Sequence, residues 1–196
     1  MTPSPNRRRA RRGVGAYTAG LALVLACASS AAGQSARPSD YDVKAAYLFN
    51  FGKFATWPAA AAPQSIAFTV CVVGRDPFGP TLDATLAGEK IDGKPVLARR
   101  IAKPQEAVGC RILFVSASEE SQLQGILDVV DGGTGILTVS DMPEFAARGG
   151  MIQFVSLGNK VRFEVNLTAA VHAKVALSSE LLKVATVVRR DAKPGE

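Results

Sequence analysis

His172 is the only histidine in the 196-residue chain, and that removes much of the chemistry a protein of this length could carry. Paired-histidine metal sites are excluded, and a Ser-His-Asp arrangement built on Ser116 or Ser140 would depend on one residue in a segment that reads as helix. A solvated or core histidine is the simpler reading. Gly74-Arg-Asp-Pro-Phe-Gly79-Pro80-Thr81 follows a strand and opens a helix, as a phosphate-binding loop does, but Pro80 stands where that loop needs its lysine. A turn leading into a proline-started helix accounts for the same residues. Gly132-Gly133-Thr134-Gly135 precedes a strand instead of following one, so it reads as a connection. Glu119-Glu120, and Asp141 with Glu144, could pair as acid and base, yet at loop and helix-start positions they fit solvated or capping carboxylates better. No residue is assigned a catalytic, cofactor-binding or metal-binding role. The expectation is a binding or regulatory protein and not an enzyme.

The first 33 residues hold five of the 23 basic groups and none of the 17 acidic ones. A basic block at Arg7–Arg12, a short apolar stretch densest over Leu21–Ala28, and small residues from Ala28 to Gly33 are the three parts of a secretory signal peptide. The apolar part falls short of the roughly 20 residues a transmembrane helix needs. Two variants stay open: acylation of Cys27 as a lipoprotein, and export through the twin-arginine route suggested by Arg11-Arg12. Without this segment the chain carries 18 basic and 17 acidic groups, a net charge of +1. The high overall pI therefore belongs to the targeting segment and gives no reason to expect nucleic-acid binding. The expected organisation is a signal peptide over 1–33, a linker over 34–40, one domain over 41–190 and a disordered tail over 191–196, working in the periplasm.

That compartment is oxidising, and the exported chain retains two cysteines, Cys71 and Cys110. An even count beside apolar, strand-like segments predicts a disulfide, with two buried free thiols as the alternative.

The elements that must position these residues follow from periodicity. Asp40 and Asp42 open a helical pattern through Val43, Tyr47, Phe51 and Phe54, closed by Trp57-Pro58. Ile66–Val73 and Ile112–Ser116 are apolar on both faces and rich in β-branched residues, which describes strands covered on both sides. Gly79–Ala87 and Gln122–Val130 read as helices, and Lys94–Ile101 and Ile136–Ser140 as strands. Met151–Val155 and Lys160–Asn166, joined by a short turn containing Gly158-Asn159, read as an antiparallel hairpin. Asn166 or Thr168 caps a helix from Ala169, and Ser178 or Ser179 another with Leu181 and Leu182. The alternation predicts an α/β fold: a single three-layer domain with a mixed, mostly parallel β-sheet, a C-terminal antiparallel hairpin, and helices on both faces.

Taken in order, several segments resemble the YfiR/HmsC-like family of small periplasmic repressors. They are Val43-Lys-Ala-Ala-Tyr-Leu-Phe-Asn-Phe-Gly-Lys-Phe-Ala-Thr-Trp-Pro58, Cys71-Val-Val-Gly-Arg-Asp-Pro-Phe-Gly79, Leu137-Thr-Val-Ser-Asp141, Gly149-Gly-Met-Ile152 with Phe154, Val161-Arg-Phe-Glu-Val-Asn166 and Ser178-Ser-Glu-Leu-Leu182. The resemblance implies a dimeric protein without a cofactor that binds the periplasmic region of an inner-membrane diguanylate cyclase and holds it inactive, lowering cyclic-di-GMP and biofilm formation. A peptidoglycan-associated outer-membrane lipoprotein is the implied second partner. Cys71 and Cys110 sit where a family disulfide sits. Some members carry a second bridge in the region that here holds Phe145 and Ile152, which leaves redox control through that bridge without its chemistry. Phe78 in its exposed turn, with Asp76, Asp141, Arg162 and Glu164 at strand ends or on the open face, are the candidate partner contacts. The competing reading is a periplasmic small-ligand-binding or sensing protein, since an open α/β sheet leaves a crevice at its strand ends.

Overall fold

A computed structural model describes residues 38–57, 65–130 and 135–189, with side chains through 187. The expected signal peptide, the Ala59–Pro63 loop, the connection at Gly132-Gly133 and the tail lie outside the described residues. Among those described, no helix is long and apolar enough to cross a membrane.

Helix α1 (Asp40–Phe54) starts with a reciprocal capping box: the Asp42 amide donates to Ser39 Oγ and the Ser39 amide to Asp42 Oδ2. Hydrogen bonding by Ser39, its backbone amide first and its side chain second, holds the Asp42 carboxyl below its ordinary range. The buried face of α1 is Lys44, Ala45, Leu48, Phe51 and Gly52. Phe54, expected on that face, is 41 % exposed, because positions 44, 45, 48, 51 and 52 form one helical stripe and Phe54 in the last turn lies off it. Burying Leu48 and Phe51 contributes roughly 1.5–3 kcal/mol each.

The chain then forms β1 (Ala55–Thr56), β2 (Phe68–Val73), α2 (Pro80–Leu86), β3 (Lys90–Ile91), β4 (Lys94–Ile101), β5 (Ile112–Val115), α3 (Leu123–Val130) and β6 (Leu137–Ser140). There follow β7 (Ile152–Leu157), β8 (Lys160–Asn166), α4 (Leu167–His172), β9 (Ala176–Leu177), α5 (Ser179–Val184) and β10 (Val187–Arg189). Among the described residues the main sheet has the order β10-β8-β7-β6-β5-β2-β4-β3. Strands β4, β2, β5, β6 and β7 run parallel, β8 pairs antiparallel with β7, β10 is parallel to β8, and β3 is antiparallel to β4. The α/β expectation, mixed sheet and C-terminal hairpin included, is met.

Period-two alternation separates two cores. Val70 and Val72 of β2, Ile112 and Phe114 of β5, and Leu137 and Val139 of β6 pack with α1, α2, α4 and α5. Cys71, Val73, Leu113 and Val115 point the other way, toward α3 and the 3-10 turn at Pro104–Ala107. Both faces of the central strands are therefore covered, which is why they read as continuous apolar runs.

Three local features differ from the sequence reading. The first hairpin strand extends to Leu157, with the second starting at Lys160 as expected, leaving a two-residue turn whose Gly158 and Asn159 both adopt positive φ, as a right-twisting hairpin requires. Asn166, one of the two expected caps, accepts from the Ala169 amide and starts helix α4 at Leu167, two residues before the expected start at Ala169. The short strands β1 and β9 pair antiparallel, and the Ser178 amide donates to Phe54 O, tying the end of α1 to the start of α5. Strands of two residues carry too little periodicity to be read from sequence.

Candidate partner-binding surface

Strands β2 and β6 deliver Asp76 and Asp141 just past their C-terminal ends, on the side where α1 begins. Asp141 Oδ2 accepts from Lys44 Nζ at 2.7 Å and from the Tyr41 hydroxyl at 2.9 Å, and the same ammonium lies 4.3 Å from the Tyr41 ring centroid. Burial, and then the hydrogen bond to Asp141, push the Tyr41 phenol up to about 12. Asp76 uses both oxygens. Oδ1 accepts the Phe78 amide at 2.8 Å, closing an Asx turn, and Oδ2 accepts Arg100 Nε at 2.8 Å. Arg100 also binds Asp83 and donates to Gly79 O, fastening the start of α2 to β4. The Arg100 hydrogen bond holds the Asp83 carboxyl below its ordinary range, and the same bond raises the guanidinium.

Phe78 corrects an expectation. It is not exposed: the Asx turn bends the chain inward, and the ring sits edge-on between Tyr41 and Phe114 at centroid distances of 5.4 and 4.8 Å, with 4 % of the residue accessible. Phe78 is thus an anchor of the turn and cannot itself be a surface contact. Tyr41 links both carboxylate clusters, its ring touching Phe78 and its hydroxyl touching Asp141. Neither Tyr41 nor Lys44 was singled out from sequence, although a lysine at i−4 from Leu48 on the apolar stripe is the signal that marks a buried, paired cation.

The other two candidates lie elsewhere. Arg162 and Glu164 project from β8 on the face opposite Phe163 and Val165, opposite Val155 and Gln153 across the β7–β8 ladder. Both are half-buried, and Leu157 and Val187 on the same face are exposed. The structure therefore brings Asp76 and Asp141 together through Tyr41 and Phe78, and places Arg162 and Glu164 on a separate surface.

Where the chain reverses direction across the sheet, between β2 and β5, the loop after β2 packs closely on the turn after β5. Ser118 Oγ accepts the Arg75 amide at 2.9 Å, and a Cβ at Gly74 would lie 2.6 Å from Ser118 and Glu119 atoms. Ser140 Oγ is consumed structurally, donating to Val115 O at 2.6 Å and accepting the Met142 amide. Ser116 caps the following 3-10 turn. His172 ends α4 on the surface.

The segment between β6 and β7 is held by packing and hydrogen bonds. Phe145 and Ile152 are fully buried, the Ala146 amide donates to Gln153 Oε1, and Asn166 Nδ2 donates to Ala146 O at 2.8 Å. A Cβ at Gly150 would fall 2.1 Å from the Phe145 ring. That ring is fully buried, so Gly150→Ala is expected to lose about 1–3 kcal/mol in urea denaturation. Gly125→Ala on α3, where no atom lies within 4 Å of the added methyl, is the matched control and should gain up to about 1 kcal/mol.

Cys71 and Cys110 form the disulfide, joining β2 to the residue two before β5. Comparison with curated proteins finds no match. The profile of the YfiR/HmsC-like family matches residues 41–186, from the first turn of α1 to the approach to β10. On that match across about three-quarters of its length, the chain belongs to the YfiR/HmsC-like family of periplasmic regulators of diguanylate cyclases.

Proposed function

We propose that residues 1–33 export the chain and that the folded protein represses an inner-membrane diguanylate cyclase by binding its periplasmic sensor region. Cyclic-di-GMP and biofilm formation fall as a result. A peptidoglycan-associated outer-membrane lipoprotein would compete for the repressor, and the working form is a homodimer. The observation that carries the reading is the outer face of the β7–β8 hairpin, where half-buried Arg162 and Glu164 stand among Val155, Leu157 and Val187. Apolar side chains around a pair of opposite charges are the composition of a specific interface: the former supply affinity on desolvation, the latter select the partner. Asp76 and Asp141 lie apart from this face and hold the ends of β2 and β6.

The test is capture from membranes of the native organism with the chain from Gln34 to Glu196, alongside cyclic-di-GMP measured in a deletion strain. A captured diguanylate cyclase and a rise in the nucleotide are expected. Arg162→Glu with Glu164→Lys should weaken capture at least tenfold while leaving the circular dichroism spectrum unchanged, a loss of about 1.4 kcal/mol or more. Undiminished capture by that variant would remove the hairpin from the interface, and no cyclase with no change in cyclic-di-GMP would remove the repressor role.

A further inference from the structure

Helices α1 and α5 pack on the same side of the sheet and leave a groove of about 350 Å3 between them. Tyr47 and the buried Phe51, Phe163 and Leu181 line it, and its rims are Phe54 on α1 and Val184 on α5. The lining is a set of interlocked rings: Phe51 meets Phe163 edge-on at 5.0 Å and stacks on Tyr47 at 5.8 Å. The walls are tied to each other as well. The Ser178 amide donates to Phe54 O at 2.9 Å, and Ser178 Oγ accepts the Leu181 amide to start α5. A groove held this way needs little ordering when something docks on it, which favours binding.

The rims leave apolar surface in water: Phe54 is 41 % and Val184 62 % exposed. One exposed apolar side chain is ordinary, but these two stand on the two walls of one apolar groove, and contiguous apolar surface marks a contact site. Charge indicates what makes the contact. Glu180 and Lys183 of α5 are both exposed, and neither enters an ion pair among the described residues. At helical spacing, positions 180, 183 and 184 share an arc of about 100°, so both charges flank Val184. A helix with a glutamate in its first turn and a lysine in its last is complementary to itself reversed. Laid antiparallel beside a second α5, each Glu180 meets Lys183 of the other copy, which is the self-complementarity a two-fold contact requires.

We propose that a second copy of this chain docks on the α1–α5 groove about a two-fold axis, with Val184 of each copy set in the groove of the other and Glu180 paired with Lys183 across the axis. The apolar rims supply affinity on desolvation, and the charge pairs fix the antiparallel register. The inference rests on the homodimer reading and locates its surface. Arg162 and Glu164 lie on the opposite face of β8 from Phe163, so this contact leaves the hairpin face of both copies free.

Sedimentation equilibrium on the chain from Gln34 to Glu196, which keeps every described residue, measures the association. A dimer is expected, and Val184→Glu should raise its dissociation constant about 100-fold or more, because a two-fold contact carries every substitution twice. Glu180→Lys and Lys183→Glu should each raise it about tenfold or more by setting like charges across the axis, and the two together should return it to within about threefold of the original. All three positions are exposed, and an unchanged circular dichroism spectrum separates lost association from lost fold. A protein that sediments as a monomer at every concentration would remove the homodimer reading and this surface with it. A dimer unmoved by Val184→Glu, or one that the paired reversal fails to restore, would overturn this surface alone: the second copy would then sit elsewhere and the groove would serve a different partner.

Discussion

Replacing Cys71 and Cys110 together by alanine is expected to destabilise the protein by about 4 kcal/mol and to lower its melting temperature by roughly 10 °C. The bridge closes a sequence separation of 39 residues, and in the chain-entropy model the loss of that constraint on the unfolded chain accounts for almost the whole figure. Native packing adds to it. Cys71 is fully buried in the core that holds Leu113 and Val115, Cys110 is nearly so, and Arg99 Nη2 lies 3.1 Å from Cys110 Sγ while donating to Glu106 O and Val108 O. That guanidinium fastens the loop between β4 and β5 over the bridge, so the loop should loosen first. Urea denaturation of the oxidised protein, the reduced protein and the double variant checks the prediction. A loss below about 1 kcal/mol would mean that the unfolded chain is already compact across this loop. Because the segment around Phe145 is held by packing, reductant should act through the Cys71–Cys110 bridge alone, and the double variant should be insensitive to it.

Asp141→Ala should cost about 3 kcal/mol or more. Lys44 and Asp141 have side chains only 10 % and 13 % exposed and meet at 2.7 Å, so removing the carboxylate leaves a poorly solvated ammonium without its counter-charge. The cost is mostly that stranded charge and much less the lost attraction. The double variant Lys44→Met with Asp141→Ala should therefore be more stable than Asp141→Ala alone, and a more damaged double variant would contradict this account. Tyrosine absorbance gives an independent readout. Tyr41 should ionise at about 12 in the native protein, and in Asp141→Ala it should ionise at lower pH, with burial keeping part of the elevation. Since the folded value lies above the ordinary 10.0, the neutral phenol favours the fold. That contribution is complete below about pH 10 and is lost as pH rises through about 12.

Both predictions concern residues whose roles the sequence showed unequally. Two cysteines flanking apolar strands in an exported chain point to a bridge, and the parallel register of β2 and β5 supplies the proximity. Lys44 sits on an apolar stripe and could have been marked, but its partner is 97 residues away, and no local pattern names it. Phe78 shows the same limit from the other side. An aromatic residue between Pro77 and Gly79 reads as an exposed turn, and only the Asx geometry of Asp76 together with the gap between Tyr41 and Phe114 turns it inward.

The sequence by itself determined the α/β class, the doubly covered central strands, the hairpin, the candidate caps of α4 and α5 and the family, because each rests on short-range periodicity, capping chemistry or ordered motifs. Tertiary structure alone decided which carboxylates are consumed in holding strand ends, that Arg162 and Glu164 lie on a face apart from them, and that Phe54 and Val184 line one groove. Those outcomes depend on the order in which parallel strands assemble, β4 on one side of β2 and β5 on the other. That order is set by the packing of whole elements across the sheet, over separations at which neighbouring residues carry no information.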